Sequence, residues 1–358
     1  MRIAQVAPLH ESVPPKTYGG TERILSWLTE GLIKKGHDVT LFASGDSVTR
    51  ARLISIVPRA LRLEPNFMVD KVGYHALMFE QVLKLAASFD IIHFHSDYAH
   101  LPYVRLMQTP TLTTTHSRLD YLPLKEIWKE NNGFPVVSIS QAQRGPIPWL
   151  NWQATVHHGM PEEMFTLNEK PGEYVLFLGR ICPEKRPDRA IEIARKAGIH
   201  LKIAAKVDPV DREYFNKEIK PLLDGPLVEY IGEVNDSQKQ ELIGNAIALI
   251  HPIEFPEPFG IVMIESLACG TPIVAFRTGS IPEVVDEGVT GFVVDNVDDA
   301  VKALQKVKTL DRKRCREVFE KRFSSSRMVD DYLTIYEQVI LRSKISGVVA
   351  EPDIAVLG

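Results

Sequence analysis

The chain has 358 residues, 44% of them hydrophobic and 25% charged, with a formal net charge of −4. That is ordinary for a soluble globular protein of two domains, and without a basic stripe it excludes nucleic acid as the main partner. No apolar run approaches the ~20 residues needed to cross a bilayer, and the three cysteines, Cys182, Cys269 and Cys315, match no metal-ligand spacing. A cytoplasmic protein is therefore expected, with peripheral attachment at the inner face of a membrane left open.

The amino-terminal RIAQVAP reads as a first strand rather than a signal peptide. Thr21 to Lys35 carries apolar residues at 24, 25, 28 and 32, one helical face, ended by Gly36. HDVTLFAS predicts a second strand and Tyr74 to Ala87 a helix; DIIHFHS, TPTLTTTH and FPVVSIS predict further strands. Such alternation indicates a parallel sheet covered by helices. Ligands of these sheets bind beyond the carboxyl ends of the strands, where Gly19, His95, His116 and Ser140 fall. The pattern restarts after about residue 165. EYVLFLGR, HLKIAAK, PLVEYIG, AIALIHP and TPIVAF read as strands, with a short last strand at Thr290 to Asp295. Helices are expected at Arg189 to Lys196 and Lys239 to Gly244. The fold class is thus α/β, with two Rossmann-like domains at 1–162 and 163–327, a final helix at 328–341 and a tail at 342–358 without helical period.

Several segments carry chemistry. EPFGIVMIE places Glu257 and Glu265 eight residues apart around a Pro-Phe-Gly turn. If Phe259 to Cys269 is helical, the neighbours of Glu265 on its face are Ile261, Val262, Ala268 and Cys269, all apolar. A carboxylate so placed needs a partner: a nearby Arg or Lys, or a sugar or ribose diol. A helix starting after Gly260 adds unpaired N–H groups that attract anions. YGGTE, Tyr18 to Glu22, sets two glycines before a helix, which suits close approach to a diphosphate and equally suits a helix start capped by Thr21. GRICPEKRP places Arg180 and Lys185 in a loop after a strand, with Arg186 expected to face solvent. Charge-assisted bonds from such cations to a phosphate are worth roughly 1.5–3 kcal/mol each. The alternative for that loop is surface pairing of Glu184 with Arg186. The aromatic segment PIPWLNW, Pro146 to Trp152, fits packing better than presentation of Trp149 to a ligand. HFHSD, His93 to Asp97, matches an H-x-H-x-D metal pattern of metallo-β-lactamase-like hydrolases, but Tyr98 follows it and the sheet pattern is parallel.

The run HPIEFPEPFGIVMIESLACGTPIVAF, His251 to Phe276, resembles the nucleotide-sugar site of family 4 glycosyltransferases. The resemblance implies a GT-B fold, with the two domains facing across a cleft and the carboxyl-terminal helix crossing back to the first. It assigns the acceptor to the first domain and the nucleotide sugar to the second. It implies that Glu257 contacts the donor sugar and Glu265 the ribose, with Phe259, Gly260 and Ile261 between them. It carries diphosphate contacts to Gly19, Gly20, Arg180 and Lys185, a positioning or polarising role to His116, and a backbone contact with the nucleobase to the YIGEV segment at Val234. Relatives often have Asn-Gly where this chain has His158-Gly159.

The activity so implied is retaining transfer of a hexosyl group, glucose from UDP-glucose, to a saccharide or lipid-linked acceptor in polysaccharide or envelope biosynthesis. Acceptor contacts are expected in Leu9 to Thr17 and Ser117 to Lys129. No Asp-x-Asp pair flanks the donor loops, so neither a catalytic metal nor another cofactor is expected. The competing readings are a metal-dependent hydrolase using His93, His95 and Asp97, a non-catalytic nucleotide-sugar binder, and a phosphorylase or epimerase on a similar scaffold.

Overall fold

The computed structural model describes residues 1–16, 19–64 and 71–346. Thr17 and Tyr18, residues 65–70 and residues 347–358 lie outside the described residues, and with them Tyr18 of the glycine motif, Thr17 of the first expected acceptor loop and most of the expected tail. The chain divides into two compact units. The first comprises Met1–Ile139, Arg144–His157 and the chain from Ser325 onward; the second comprises Ser140–Gln143 and His158–Ser324.

The first unit is built on strands β1 (Arg2–Val6), β2 (Asp38–Phe42), β3 (Arg52–Ile54), β4 (Ile91–Phe94), β5 (Thr111–Thr114), β6 (Val136–Ser138) and β7 (Trp152–Thr155). They form one sheet in the order β3-β2-β1-β4-β5-β6-β7, every pairing parallel. The order reverses between β1 and β4, so the loops leaving those two strands diverge and open a crevice at their carboxyl ends. Ile3 and Val6 of β1, Ile92 and Phe94 of β4 and Leu112 of β5 are fully buried, because helices cover both faces. Gly20–Lys34 packs on the final helix, Ser325–Ser346. Gly31 permits a close approach there: a Cβ on it would lie 2.5 Å from Cγ2 of Val329.

The final helix is longer than the expected 328–341 and takes in 342–346, assigned above to the tail. RSKIS holds no breaker before Gly347, and exposed polar turns leave no apolar period by which to detect them. In PIPWLNW the packing comes from Ile147 and Leu150, buried with Trp152 against them, whereas Trp149 is exposed.

The second unit carries β8 (Tyr174–Arg180), β9 (His200–Lys206), β10 (Val228–Tyr230), β11 (Ala246–His251), β12 (Ile273–Phe276) and β13 (Gly291–Val294). Their order is β10-β9-β8-β11-β12-β13, again parallel, with the reversal between β8 and β11. Helix Pro187–Ala197 presents Ala190, Ile191 and Ala194 to a core shared with Val175, Ile203 and Ile250, and stops at Gly198 in the left-handed region. Helix Asp236–Gly244 starts with a capping box in which Asn235 and Gln238 satisfy each other's backbone N–H groups.

Candidate functional site

In the second unit the loops leaving β8 and β11 meet. Arg180 ends β8, and Lys185 closes the short turn Pro183–Lys185 that follows. Lys185 is ion-paired with Glu257 and lies 4.8 Å from the ring centroid of Phe255. The backbone N–H of Glu254 donates to the carbonyl of Glu184 at 3.1 Å, tying the two loops together. Arg180 is ringed by carboxylates, Asp211 at 3.4 Å, Asp208 at 3.5 Å and Glu184 at 3.9 Å. Both cations therefore carry compensating charge, which a diphosphate would have to share.

Arg186 corrects an expectation. It does not face solvent freely but pairs with Asp188 at 2.8 Å and Glu254 at 2.7 Å, and Glu184 pairs with Arg180 instead. Those partners hold Arg186 at φ 53°, a left-handed conformation uncommon outside glycine. They also raise the guanidinium pKa, Asp188 first. Arg186 is a brace that orients the turn bearing Lys185.

Glu257 and Glu265 are separated by a sharp entry into helix Ile261–Ala268, shorter at its start than Phe259 would have made it. Gly260 precedes the helix at φ 83°, and a Cβ there would lie 2.9 Å from Met263 and 3.4 Å from Glu257. The residue is glycine because neither the conformation nor the space admits a side chain. The first N–H groups of the helix lack intrahelical acceptors, as at any helix start, while that of Met263 already donates to the Gly260 carbonyl at 3.0 Å. Phe259 as a whole is 2% exposed; its ring packs edge-on against His158 at 4.9 Å and its carbonyl accepts from the Ser280 hydroxyl at 2.8 Å, so it shapes the loop from within. Glu265 is buried and accepts a 2.9 Å bond from Lys239 of helix Asp236–Gly244. Of the two partners expected for it, the chain itself supplies the cation. Val234 is half-buried, just before the capping box of that helix.

Two residues of this region gave no motif. Gly279 sits at φ 49°, and a Cβ there would fall 2.4 Å from the carbonyl oxygen of Glu257. It lies directly on the backbone of the donor loop, which Ser280 also grips through Glu257 and Phe259 carbonyls at 3.0 and 2.8 Å. His251, the last residue of β11, is buried and its Nε2 has no hydrogen-bond partner. That atom lies 3.7 Å from the position a Gly260 Cβ would take, and desolvation, then Lys185, push the imidazole down to about 3. A neutral ring with an uncommitted nitrogen beside the Lys185–Glu257 pair is a hydrogen-bonding group awaiting a partner. The sequence signal was present in HPIEFPEP, but a lone strand-end histidine is not distinctive. A cavity of about 370 Å³, lined by Ile247, Pro272, Val307 and Arg312 among others, opens at the amino ends of these strands. It is at the wrong end of the sheet for the donor loops.

In the first unit, Gly19 rather than Thr21 caps helix Gly20–Lys34. A Cβ on Gly19 would lie 2.8 Å from Pro15, so the loop before the helix is packed against it. Gly20 is exposed. Asp97 pins the segment after β5: it accepts from the His116 N–H at 3.0 Å and from the Ser117 hydroxyl at 2.6 Å. The His116 ring bonds His95 at 2.9 Å, and desolvation pushes it down to about 3. His93 is committed at both nitrogens, to Tyr336 at 2.8 Å and Thr114 at 2.7 Å. His93, His95 and Asp97 are thus engaged as hydrogen-bonding groups of the fold, and among the described residues no cluster of His, Cys, Asp or Glu is arranged to hold a metal. The expected acceptor segment Ser117 to Lys129 takes in all but the last residue of helix Leu122–Glu130, with Tyr121 and Leu122 exposed at its start.

Comparison with known proteins agrees with this architecture. A glycosyltransferase involved in avilamycin A biosynthesis superposes with a TM-score of 0.70 at 22% identity, over 95% of this chain and 98% of its own. Anabaena HepE, solved in complex with UDP-glucose, superposes with a TM-score of 0.69 at 17% identity, over 97% and 100%. The fold is that of the GT-B glycosyltransferases. Residues 18–152 match the model of Glycosyltransferase Family 4, and residues 160–322 that of Glycosyl transferases group 1. The chain belongs to the family 4 glycosyltransferases. Among curated relatives, an uncharacterized glycosyltransferase of Methanocaldococcus jannaschii is 23% identical over 82% of this chain and 85% of its own. The phosphatidyl-myo-inositol mannosyltransferase of Mycobacterium leprae is 24% identical over 95% and 97%.

Proposed function

We propose that the protein is a retaining, metal-independent glycosyltransferase that moves glucose from UDP-glucose to a saccharide or lipid-linked glycan acceptor in polysaccharide or envelope biosynthesis. The observation that carries this is the pairing of Lys185 with Glu257, beside Arg180 and the Gly260 helix start, at the carboxyl ends of β8 and β11. Glycosyl transfer builds positive charge on the sugar and negative charge on the leaving diphosphate. Arg180 and Lys185 stabilise the latter, in the place a metal takes elsewhere, and Glu257 orients the sugar hydroxyls while keeping Lys185 aimed. Glu265 receives the ribose diol, shared with Lys239. Gly19 and Gly20 offer backbone to the diphosphate, Val234 and Ile261 contribute backbone contacts, and His116 positions a reacting sugar. No side chain of the donor loops presents itself as a nucleophile, in keeping with a same-face mechanism in which the leaving phosphate takes the acceptor proton.

Glucose and UDP are favoured because HepE binds UDP-glucose on this fold; a mannosyl donor is the competing choice, because the relative from M. leprae is a mannosyltransferase. The experiment is thermal unfolding with UDP-glucose, GDP-mannose and ADP-glucose, each with and without EDTA. Ligand binding only the folded protein raises Tm, and a rise with UDP-glucose that survives EDTA is expected. A rise with GDP-mannose alone replaces the donor; no rise with any of the three removes the donor site.

A further inference from the structure

A continuous chain of hydrogen bonds runs through the first unit, from the carboxyl-terminal helix to His116. Gln5 of β1 is its pivot. The Gln5 Nε2 donates to the hydroxyl of Tyr336 at 2.9 Å, and its Oε1 is 2.8 Å from Nε2 of His95. The Tyr336 hydroxyl is 2.8 Å from Nδ1 of His93, whose Nε2 is 2.7 Å from the Thr114 hydroxyl, which in turn meets Tyr332 at 2.9 Å. On the other side, Nδ1 of His95 is 2.9 Å from Nε2 of His116. Gln5, His93, His95, Tyr332 and Tyr336 are all buried.

Such a chain has a direction. An amide has one donor end and one acceptor end, and the acceptor of Gln5 faces His95. Nε2 of His95 must therefore carry the proton. Desolvation keeps His93 and His116 neutral, and a neutral His95 has one ring proton, so its Nδ1 is an acceptor. Nε2 of His116 must then be the donor, and its Nδ1 carries the lone pair. The opposite branch is consistent: the Tyr336 hydroxyl accepts from Gln5 and donates to Nδ1 of His93, leaving Nε2 of His93 to donate to Thr114.

We propose that Gln5, His95 and Tyr336 are positioning residues that lock His116 in the Nε2–H tautomer, so that its Nδ1 bears no proton and can only accept a hydrogen bond, never donate one. The functional half of this rests on His116 meeting substrate, as proposed above; the tautomer itself does not. Tyr336 makes the carboxyl-terminal helix part of the device, since removing its hydroxyl frees the Gln5 amide to turn over and invert the chain.

The test is histidine ring ¹⁵N NMR on the full chain, comparing the parent with Gln5→Met and Tyr336→Phe, alongside transfer kinetics. Phe79→Leu, a core change off the chain, controls for lost packing. The expected result is a proton on Nε2 of His116 in the parent and in Phe79→Leu, and a mixed or inverted tautomer in Gln5→Met and Tyr336→Phe. With it, kcat should fall about 10-fold or more in those two variants, by analogy with loss of an oriented hydrogen bond in the transition state. A proton on Nδ1 of His116 in the parent, or a His116 tautomer unchanged in both variants, overturns the proposal. A tautomer that changes as expected while kcat stays level upholds the lock but removes His116 from the substrate site. Should Gln5→Met fail to fold, Tyr336→Phe decides alone, since it keeps the ring and removes one oxygen.

Discussion

Glu265 shows how a residue can satisfy two readings at once. Its bond to Lys239 accounts for burial without any ligand. Deleting one member of a buried pair leaves the other uncompensated, typically at about 3–5 kcal/mol. Glu265→Gln keeps the volume and one acceptor while removing the charge. If Glu265 also receives the ribose, this variant should bind UDP about 10-fold more weakly by calorimetry, about 1.4 kcal/mol, at a modest loss of Tm. A lower Tm with unchanged UDP affinity would confine Glu265 to the ion pair. The spacing of Glu257 and Glu265 was legible because it lies within one turn and one helix. The partner Lys239 was not, because it comes from a different helix and no local pattern records the contact. His251 escaped for a related reason: burial and an unpartnered nitrogen are tertiary properties.

Loops leaving the sheets carry the candidate chemistry, and neighbouring loops set their shape. Gly279 is the clearest case, because its φ of 49° and its 2.4 Å approach to the Glu257 carbonyl both forbid a side chain. Gly279→Ala should destabilise the protein by about 1–3 kcal/mol, as overpacking does. It should also weaken UDP-glucose binding by displacing Glu257, measured on the same sample by titration. Normal affinity in a folded Gly279→Ala protein would separate the loop from the site. Periodicity located the helix Gly20–Lys34, where one face is apolar, and a continuous apolar run located β11, which is buried on both faces. Periodicity failed at the end of Ser325–Ser346, where the last turns are exposed, and at Leu122–Glu130, which has Trp128 as its buried residue. The chain from Tyr332 to His116 was invisible for the same reason as Lys239: Gln5 and Tyr336 are 331 positions apart.

At the scale of the molecule, buried imidazoles set the response to acid. Burial lowers His100, His116 and His251 to about 3 and His10 to about 4, and lowers His93 and His75 as well. The unfolded chain takes up these protons near 6.5, so between about 6.5 and 3 it binds more than the folded protein does. Stability therefore falls as pH drops through that window. Glu22 acts in the opposite sense: burial raises it to about 7 from an ordinary 4.5, so the folded state holds the extra proton in between and stability from this group declines as pH rises. Tm measured from pH 8 to pH 5 should drop below about pH 6.5, and Glu22→Gln should gain on the parent above pH 7. A Tm that holds or rises on acidification to pH 5 would contradict the burial of these rings.

The central claim is that Lys185, held by Glu257, stabilises charge developing on a departing diphosphate. Single-turnover transfer from UDP-glucose by Lys185→Ala tests it most directly, with UDP affinity measured in parallel and the acceptor supplied by a saccharide screen on the parent. A loss of about 10²-fold or more in the chemical step, exceeding any loss of UDP affinity, is predicted, as for removal of one preorganised charge-stabilising donor. Turnover within a few-fold of the parent would contradict the account and take Lys185 out of the reaction.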